Sequence, residues 1–315
     1  MPSLSVVICT LNREALLREC LASIARMSDP QETEIIVVDN GSVDDTVAMV
    51  RREFPTVRLL VQSKNVGFCV ANNIGVAASS APYVMLLNSD AVLLSDTAGN
   101  LVRFLKEHDD VKCVGPRIVL PSGERQPRVF GNLPSLWRIA MQSLYLGQLF
   151  PRTPAFEGID GRDRPGPVDD VGWISGVCMV MRRLDFIAAG GFDPTFFIYC
   201  EDVDLCSRLS QRGGRIVRVD ADPVLHYGGG SSPLISAQLR NSLLQQRNLL
   251  KVVRGRSGRL ASGLAALLIS LGLLLRIAVG VARIPTRGIQ SNVLLRSSWV
   301  RIRDLVIPVS MPVAR

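Results

Sequence analysis

The chain has 315 residues, 47% of them hydrophobic and 20% charged, which is enough for one large domain or two modest ones. Its net charge of +8 is uneven: residues 240–315 carry 13 Lys/Arg against one acid, Asp304, a net of +12, while the first 239 residues carry 23 basic and 27 acidic side chains, a net of −4. The acidic balance of the globular part argues against a nucleic-acid-binding face there, and the basic tail points to an anionic surface.

The first 120 residues alternate strand and helix signals. LSVVICT (Leu4–Thr10) reads as a buried strand, and Glu14–Ala25 carries an apolar stripe at 16, 17, 20, 21 and 24, the spacing of a helix. Strands follow at Ile35–Val38, Val57–Gln62, Tyr83–Leu87 and Val111–Gly115, with helices at Thr46–Glu53, Val70–Ala78 and Asp96–Glu107. Ser42 is placed to cap the helix that follows the Asn40-Gly41 turn, with Asp44 and Asp45 in its first turn. This rhythm predicts an α/β fold with a mostly parallel, doubly wound sheet. Residues 121–168 are rich in proline and glycine and read as loops around one short helix near 135–149, with order returning from Trp173 to His226. The seven cysteines form no CxxC pair and read as reduced core residues, which suits the cytosolic side. The N-terminal run MPSLSVVICTLNR lacks the basic region and the length of a signal peptide.

Chemistry-bearing residues gather where the strands end. Thr10-Leu11-Asn12-Arg13 closes the first strand, Asp39 the second, Asn65-Val66-Gly67-Phe68 with Asn72-Asn73 follows the third, and Asn88-Ser89-Asp90 closes the fourth. In an open parallel sheet these ends lie on one edge, where ligands of such folds bind. A carboxylate at the position of Asp39 can accept a hydrogen bond from a base or a ribose, or simply cap its turn. No GxGxxG follows the first strand and no GxxxxGK[ST] occurs, so hydride transfer on a dinucleotide fold and P-loop NTPase chemistry lose their main support. Gly228-Gly229-Gly230-Ser231 reads either as a phosphate-wrapping loop or as a flexible one.

The segments VVICTLNR (6–13), IIVVDNGSVDDT (35–46), NVGFCVANNIG (65–75), LLNSD (86–90), WISGVCMVMRR (173–183) and GGFDPTFFIYCEDVDLCSRL (190–209), with His226, resemble family 2 inverting glycosyltransferases of the GT-A type, in the rhamnosyltransferase and galactofuranosyltransferase branch. The resemblance covers most of residues 4–230 and leaves the tail largely uncovered. It implies a nucleotide-diphosphate sugar donor, with dTDP-rhamnose favoured, and a saccharide or lipid-linked saccharide acceptor in cell-envelope polysaccharide synthesis. By the same resemblance Asp39 would hold the base, with Thr10, Asn12, Arg13 and Asn40 beside it, and Asn65, Gly67 and Asn73 would line the nucleotide sugar. Asp90 and His226 would bind a divalent cation, Mg²⁺ or Mn²⁺, on the diphosphate. The first acid of the family's DxD motif is Asn88 here, which lowers the charge of that site.

Displacement of a nucleoside diphosphate with inversion needs one base for the acceptor hydroxyl. Glu201-Asp202-Val203-Asp204 offers three carboxylates. At about 100° per residue on a helix, Asp202 and Asp204 point apart. The resemblance selects Asp202 as the base, with Glu201, Trp173, Ser175 and Gly176 on the acceptor side. Trp173 is either a sugar-stacking platform or core.

The chain is expected to divide into a catalytic domain, 1–235, and a basic helical tail, 236–315, with an apolar segment at 260–282. Leu260–Leu275 is 16 uncharged residues followed by Arg276, short of the roughly 20 apolar residues a span takes; it reads as a buried or interfacial helix, with a true span as the alternative. Arg254, Arg256 and Arg259 before it, and Arg283 and Arg287 after it, suit a membrane-surface element on the cytoplasmic face, peripheral or singly anchored. Two other classes fit less well. A catalytically silent nucleotide-binding scaffold would not need both Asp90 and Asp202, and a nucleotidyltransferase would want a Gly-rich basic loop after the first strand.

Overall fold

The computed structural model describes residues 2–27, 29, 31–150, 153–162, 166–228 and 235–282. In chain order they form β1 (Leu4–Thr10), α1 (Glu14–Met27), β2 (Thr33–Asp39), α2 (Thr46–Glu53), β3 (Arg58–Val61), α3 (Phe68–Ala78), β4 (Tyr83–Leu87), β5 (Ala91–Leu93), α4 (Thr97–Glu107) and β6 (Val111–Val119). There follow β7 (Phe130–Gly131), α5 (Leu136–Ser143), α6 (Leu146–Leu149), β8 (Val168–Val171), β9 (Trp173–Ile174), β10 (Cys178–Arg182), α7 (Arg183–Ala188), α8 (Glu201–Gln211), β11 (Arg215–His226) and α9 (Ile235–Ala282). The chain makes two compact units, Met1–Gly131 with Asp163–Gly228, and Asn132–Arg162 with Gly229–Arg315.

The first unit is built on a nine-stranded sheet of order β3-β2-β1-β4-β10-β6-β11-β5, with β8 on β11. β3, β2, β1 and β4 run parallel, so Thr10, Asp39 and Leu87 end on one edge, as the alternation predicts. Central strands covered on both faces read as continuous apolar runs. Accordingly Val6, Val7, Ile8, Ile36, Val37, Val38, Met85 and Leu86 are all fully buried. The other half is mixed: β10 is antiparallel to β4 and β6, β11 is parallel to β6, and β5 is antiparallel to β11. β7 and β9 form a separate two-stranded ladder.

Two local expectations change. Ser42 does not cap α2: its hydroxyl accepts the Asn12 N–H at 2.8 Å, and Asp44 receives the Thr46 N–H at 3.1 Å instead. The turn after β2 is long enough for Ser42 to face the neighbouring loop, not the helix. The stretch 121–168 also holds β7, α6 and the start of β8 besides the expected helix at α5. These pieces are too short for a periodic signal. All seven cysteines are free thiols, as expected, but only five are core residues: Cys9 and Cys200 are half-buried. Arg283, Arg287 and the Gly229–Ser231 part of the glycine loop lie outside the described residues.

Candidate active site

At the ends of β1 and β2 the loops are held together by amide side chains. Asn12, in the left-handed region at φ 52°, accepts the Val43 N–H on Oδ1 at 2.8 Å. Asn40 donates to Asn65 Oδ1 at 2.9 Å and accepts the Val66 N–H at 2.8 Å, while Asn65 Oδ1 also receives the Gly67 N–H at 2.9 Å. Asn12, Asn40 and Asn65 thus tie the loops at these strand ends together, with much of their hydrogen-bonding capacity already used. Asp39, at the end of β2 beside them, is fully buried. Its Oδ2 accepts the Gly41 and Ser42 N–H groups at 3.3 and 3.1 Å. Asp39 Oδ1 and Thr10 Oγ1 are buried with no hydrogen-bond partner among the described residues. A buried acceptor left unsatisfied costs about 1–3 kcal/mol, so these two atoms are ready for donors from a ligand.

Gly67 has φ 90°, and a Cβ there would approach the Phe197 ring to 2.8 Å. The next residue, Phe68, donates its N–H to the Phe197 carbonyl at 2.9 Å. Asn73 donates to the Phe192 carbonyl at 2.7 Å and accepts the Phe192 N–H at 2.9 Å. The N-terminal half of α3 and the loop leading into α8 are therefore fastened together at two points. Asn73 spends both ends of its amide on that fastening.

Beyond β4, Asp90 Oδ1 lies 3.0 Å from His226 Nε2, and Asn88 Nδ2 lies 3.4 Å from the same nitrogen. His226 is buried at the end of β11, and its Nδ1 is 2.8 Å from Gln126 Oε1. With Nδ1–H donating to that oxygen, Nε2 carries either a proton shared with Asp90 or a lone pair facing the carboxylate. The second state is one that a cation stabilises, and metal-ligating histidines ordinarily donate their other ring N–H to a fixed acceptor, the place Gln126 Oε1 takes here. Burial works to raise the Asp90 carboxyl, but the hydrogen bond and charge of His226, with Arg13 further off, hold it below the ordinary value.

Asp202 sits in the first turn of α8, reached through Tyr199 and Cys200, both with positive φ (72° and 65°). Non-glycine residues in that region cost energy and cluster at functional sites. The Asp202 carboxylate accepts the Gly176 N–H at 3.1 Å on Oδ2 and its neighbour Val203's N–H at 2.8 Å on Oδ1. Burial raises its pKa despite these two donors. Glu201 is 6% exposed, with Oε2 lacking a hydrogen-bond partner among the described residues; burial first, then the adjacent Asp202 charge, raise it too. Asp204 turns away and pairs with Arg208 at 2.7 Å. Ser175 Oγ accepts the Val177 N–H at 3.4 Å, and Trp173 is buried. Val177 accepts the Asn88 N–H at 3.0 Å, so Gly176-Val177 ties the Asn88–Asp90 turn to Asp202.

The family model for glycosyl transferase family 2 matches residues 5–159. The N-acetylglucosaminyl-diphospho-decaprenol L-rhamnosyltransferase of Mycobacterium tuberculosis is 32% identical over 245 residues, spanning 73% of this chain and 77% of its own length. The chain belongs to glycosyl transferase family 2. The enzyme is a glycosyltransferase of rhamnosyltransferase-like sequence, and a rhamnosyltransferase of Escherichia coli is 47% identical over 57 residues, 18% of this chain and 22% of that one. The GT-A fold is shared with a mannosyltransferase from Pyrobaculum calidifontis solved with GDP-Man and Mn²⁺, at a TM-score of 0.59 and 16% identity, covering 97% of this chain and 85% of that one.

Gln126 was not legible in this enzyme's sequence. It lies in the aperiodic 121–168 stretch, and nothing in its neighbourhood signals that it meets a histidine 100 residues later. The backbone partners Phe192, Phe197 and Val177 carry no side-chain signal at all.

Proposed function

We propose that this glycosyltransferase moves rhamnose, with inversion, from dTDP-rhamnose to a lipid-diphosphate-linked saccharide in cell-envelope polysaccharide synthesis. The observation that carries the reading is the Gly176-Val177 link, which sets one carboxylate with a raised pKa, Asp202, beside the turn that bears Asp90. Support for donor and acceptor comes from the mycobacterial relative, whose name specifies L-rhamnose transfer to a decaprenol-linked acceptor.

In this reading Asp39 Oδ1 accepts an N–H of the pyrimidine base, with Thr10 and Arg13 beside it. Asn12, Asn40, Asn65 and Gly67 shape the crevice for the nucleotide sugar, and Asn73 fixes the loop opposite. Asp90 and His226 would hold a divalent cation, with Asn88 adjacent. The imidazole favours Mn²⁺ over Mg²⁺. When bound, the cation supplies charge stabilisation for the departing nucleoside diphosphate. Asp202 takes the proton of the acceptor hydroxyl as its oxygen attacks the anomeric carbon and the bond from that carbon to the diphosphate oxygen breaks. A base with a pKa lifted toward working pH is suited to this step. Ser175, Gly176 and Glu201 border the acceptor side, where the buried Trp173 supports the strand.

Arg240–Ala278 includes a helix long and apolar enough, by length and composition, to cross a membrane. We take the tail to hold the enzyme at the cytoplasmic face, where nucleotide sugars are made. Protease accessibility in intact against lysed cells tests that side. For the chemistry, a panel of nucleotide sugars is assayed for nucleoside diphosphate release with membrane extract as acceptor. Release from dTDP-rhamnose above the other donors is the expected result, and turnover confined to a different donor would overturn the assignment.

A further inference from the structure

Within the unit of Asn132–Arg162 and Gly229–Arg315, α9 is not one rod. Gly258, at φ 85° and ψ 176°, interrupts it, and Ser262 Oγ donates to the Leu250 carbonyl at 3.0 Å. Twelve residues of straight helix would hold those groups about 18 Å apart. The chain therefore reverses near Gly258, with Arg254, Arg256 and Arg259 exposed at the bend. The arm that follows is apolar on two faces. Ala265, Ile269 and Leu273 are buried, and the arm packs on α5. There a Cβ on Gly272 would strike the Ser143 carbonyl, and Arg276 stacks over Tyr145 at 4.9 Å. On the other face Leu260, Leu264, Leu267, Leu271 and Leu274 are exposed, Leu260 by 80% and Leu267 by 66%. A helix face turned to water is ordinarily polar.

We propose that this arm lies in the plane of an anionic lipid leaflet and does not cross the bilayer. Its leucine face enters the acyl layer, and the Arg254–Arg259 bend sits among the headgroups. The proposal rests on the membrane association put forward above and specifies its mode. By length alone residues 259–282, about 36 Å of helix, would cross a hydrocarbon core of about 30 Å. The packing on α5 decides against it. A crossing arm would carry Ser143, Tyr145 and the irregular backbone around them to membrane depth, where lipid-exposed irregular backbone is not tolerated.

Polar groups of the same unit would have to follow. Arg138 donates to the Pro154 and Glu157 carbonyls at 2.9 and 2.7 Å. Gln142 accepts the Ile159 N–H at 2.8 Å and donates to Asp160 at 3.2 Å. In-plane seating leaves this network in water and removes only the leucine face from it. The choice of an anionic leaflet follows from charge, since α9 bears seven basic side chains and no acidic one. Exposed Trp137, Leu149 and Phe150 in the same unit are of the kind found at membrane interfaces.

The test uses the full chain with single cysteines Leu260→Cys, Leu267→Cys and Leu274→Cys, each nitroxide-labelled and bound to vesicles of phosphatidylethanolamine with phosphatidylglycerol. Signal from the native thiols is subtracted using the labelled wild type. All three labels should lie at one shallow depth, about 5–10 Å below the headgroups. Depths that run through the bilayer centre at Leu267 and emerge at Leu274 would overturn the proposal. The double variant Leu267→Glu with Leu271→Glu should leave the vesicles yet keep wild-type nucleoside diphosphate release on a water-soluble acceptor. Equal wild-type binding to phosphatidylcholine vesicles, or a leucine face buried in a lipid-free dimer, would also overturn it. Wild-type turnover on the soluble acceptor, measured alongside, reports on the transferase chemistry separately.

Discussion

Asn73 and Phe192, 119 residues apart, exchange two hydrogen bonds: the amide donates to the Phe192 carbonyl at 2.7 Å and receives the Phe192 N–H at 2.9 Å. This reciprocal pair fixes the loop that leads to Asp202 against the helix that follows the third strand. Asn73→Ala leaves both backbone groups without that partner. We expect a stability loss of about 1–3 kcal/mol and a fall in kcat approaching 10²-fold, the scale of a 1 Å misplacement. Thermal unfolding and steady-state kinetics check the two parts, and an unchanged kcat would show that the loop holds its place without the pair.

Asp202→Asn keeps the shape of the side chain and removes the proposed base. Turnover should drop by about 10²–10⁴-fold, with donor affinity nearly unchanged. Retention of more than about a tenth of wild-type turnover would mean that Asp202 is not the general base, and Glu201 would be tested next.

Both Glu201 and Asp202 are raised above the ordinary carboxylate range, by burial first and, for Glu201, by its neighbour's charge. Activity should therefore rise with pH on a limb above about 4, where an unperturbed carboxylate would titrate. Stability should move the other way. The native state keeps protons that the unfolded chain has lost between about pH 4 and the raised values, so unfolding becomes easier as pH climbs through that window. Glu201→Gln should lower the kinetic limb and flatten the stability slope. A pH–rate profile and denaturant midpoints across pH test both signs.

Asp90→Ala should weaken donor binding and blunt the response to Mg²⁺ or Mn²⁺. Gln126→Leu, which withdraws the acceptor from His226 Nδ1, should lower metal affinity by about 10–100-fold. Metal titrations of turnover decide it, and full wild-type activity in excess EDTA would remove the cation from the reaction.

Asp39→Asn exchanges half of a buried acceptor for a donor. Hydrogen bonds to charged groups contribute about 1.5–3 kcal/mol, so the Kd for the nucleoside diphosphate should rise roughly 10–100-fold. Calorimetry without acceptor isolates this, and an unchanged Kd would move base recognition elsewhere.

The parallel half of the sheet was readable because its strands are short apolar runs separated by turn signals. The strands Leu4–Thr10 and Tyr83–Leu87, and the helix Thr46–Glu53 between them, fall where the pattern puts them. The mixed half was harder to read. β5 is three residues, β7 and β9 two each, and a strand of that length is defined by its partner and not by its own pattern. At the site, side chains such as Asp39, Asp90 and Asp202 stood out by type and place. Sequence could not say that Asn12, Asn40, Asn65 and Asn73 spend their amides on neighbouring loops, because those bonds join residues 25 to 119 positions apart.

The register of β10 works as a ruler for the proposed catalytic centre. Cys178 faces Leu87 and Arg182 faces Tyr83 across an antiparallel pairing, and just before Cys178 the chain touches Asn88 on one side and Asp202 on the other. A slip of one residue turns every side chain of a strand to the opposite face. Here it would also move both attachment points by about 3.4 Å. A one-residue insertion or deletion between Ser175 and Arg182 therefore has nowhere to be absorbed, and the separation of the proposed base from the Asn88–Asp90 turn is written into the length of one short strand.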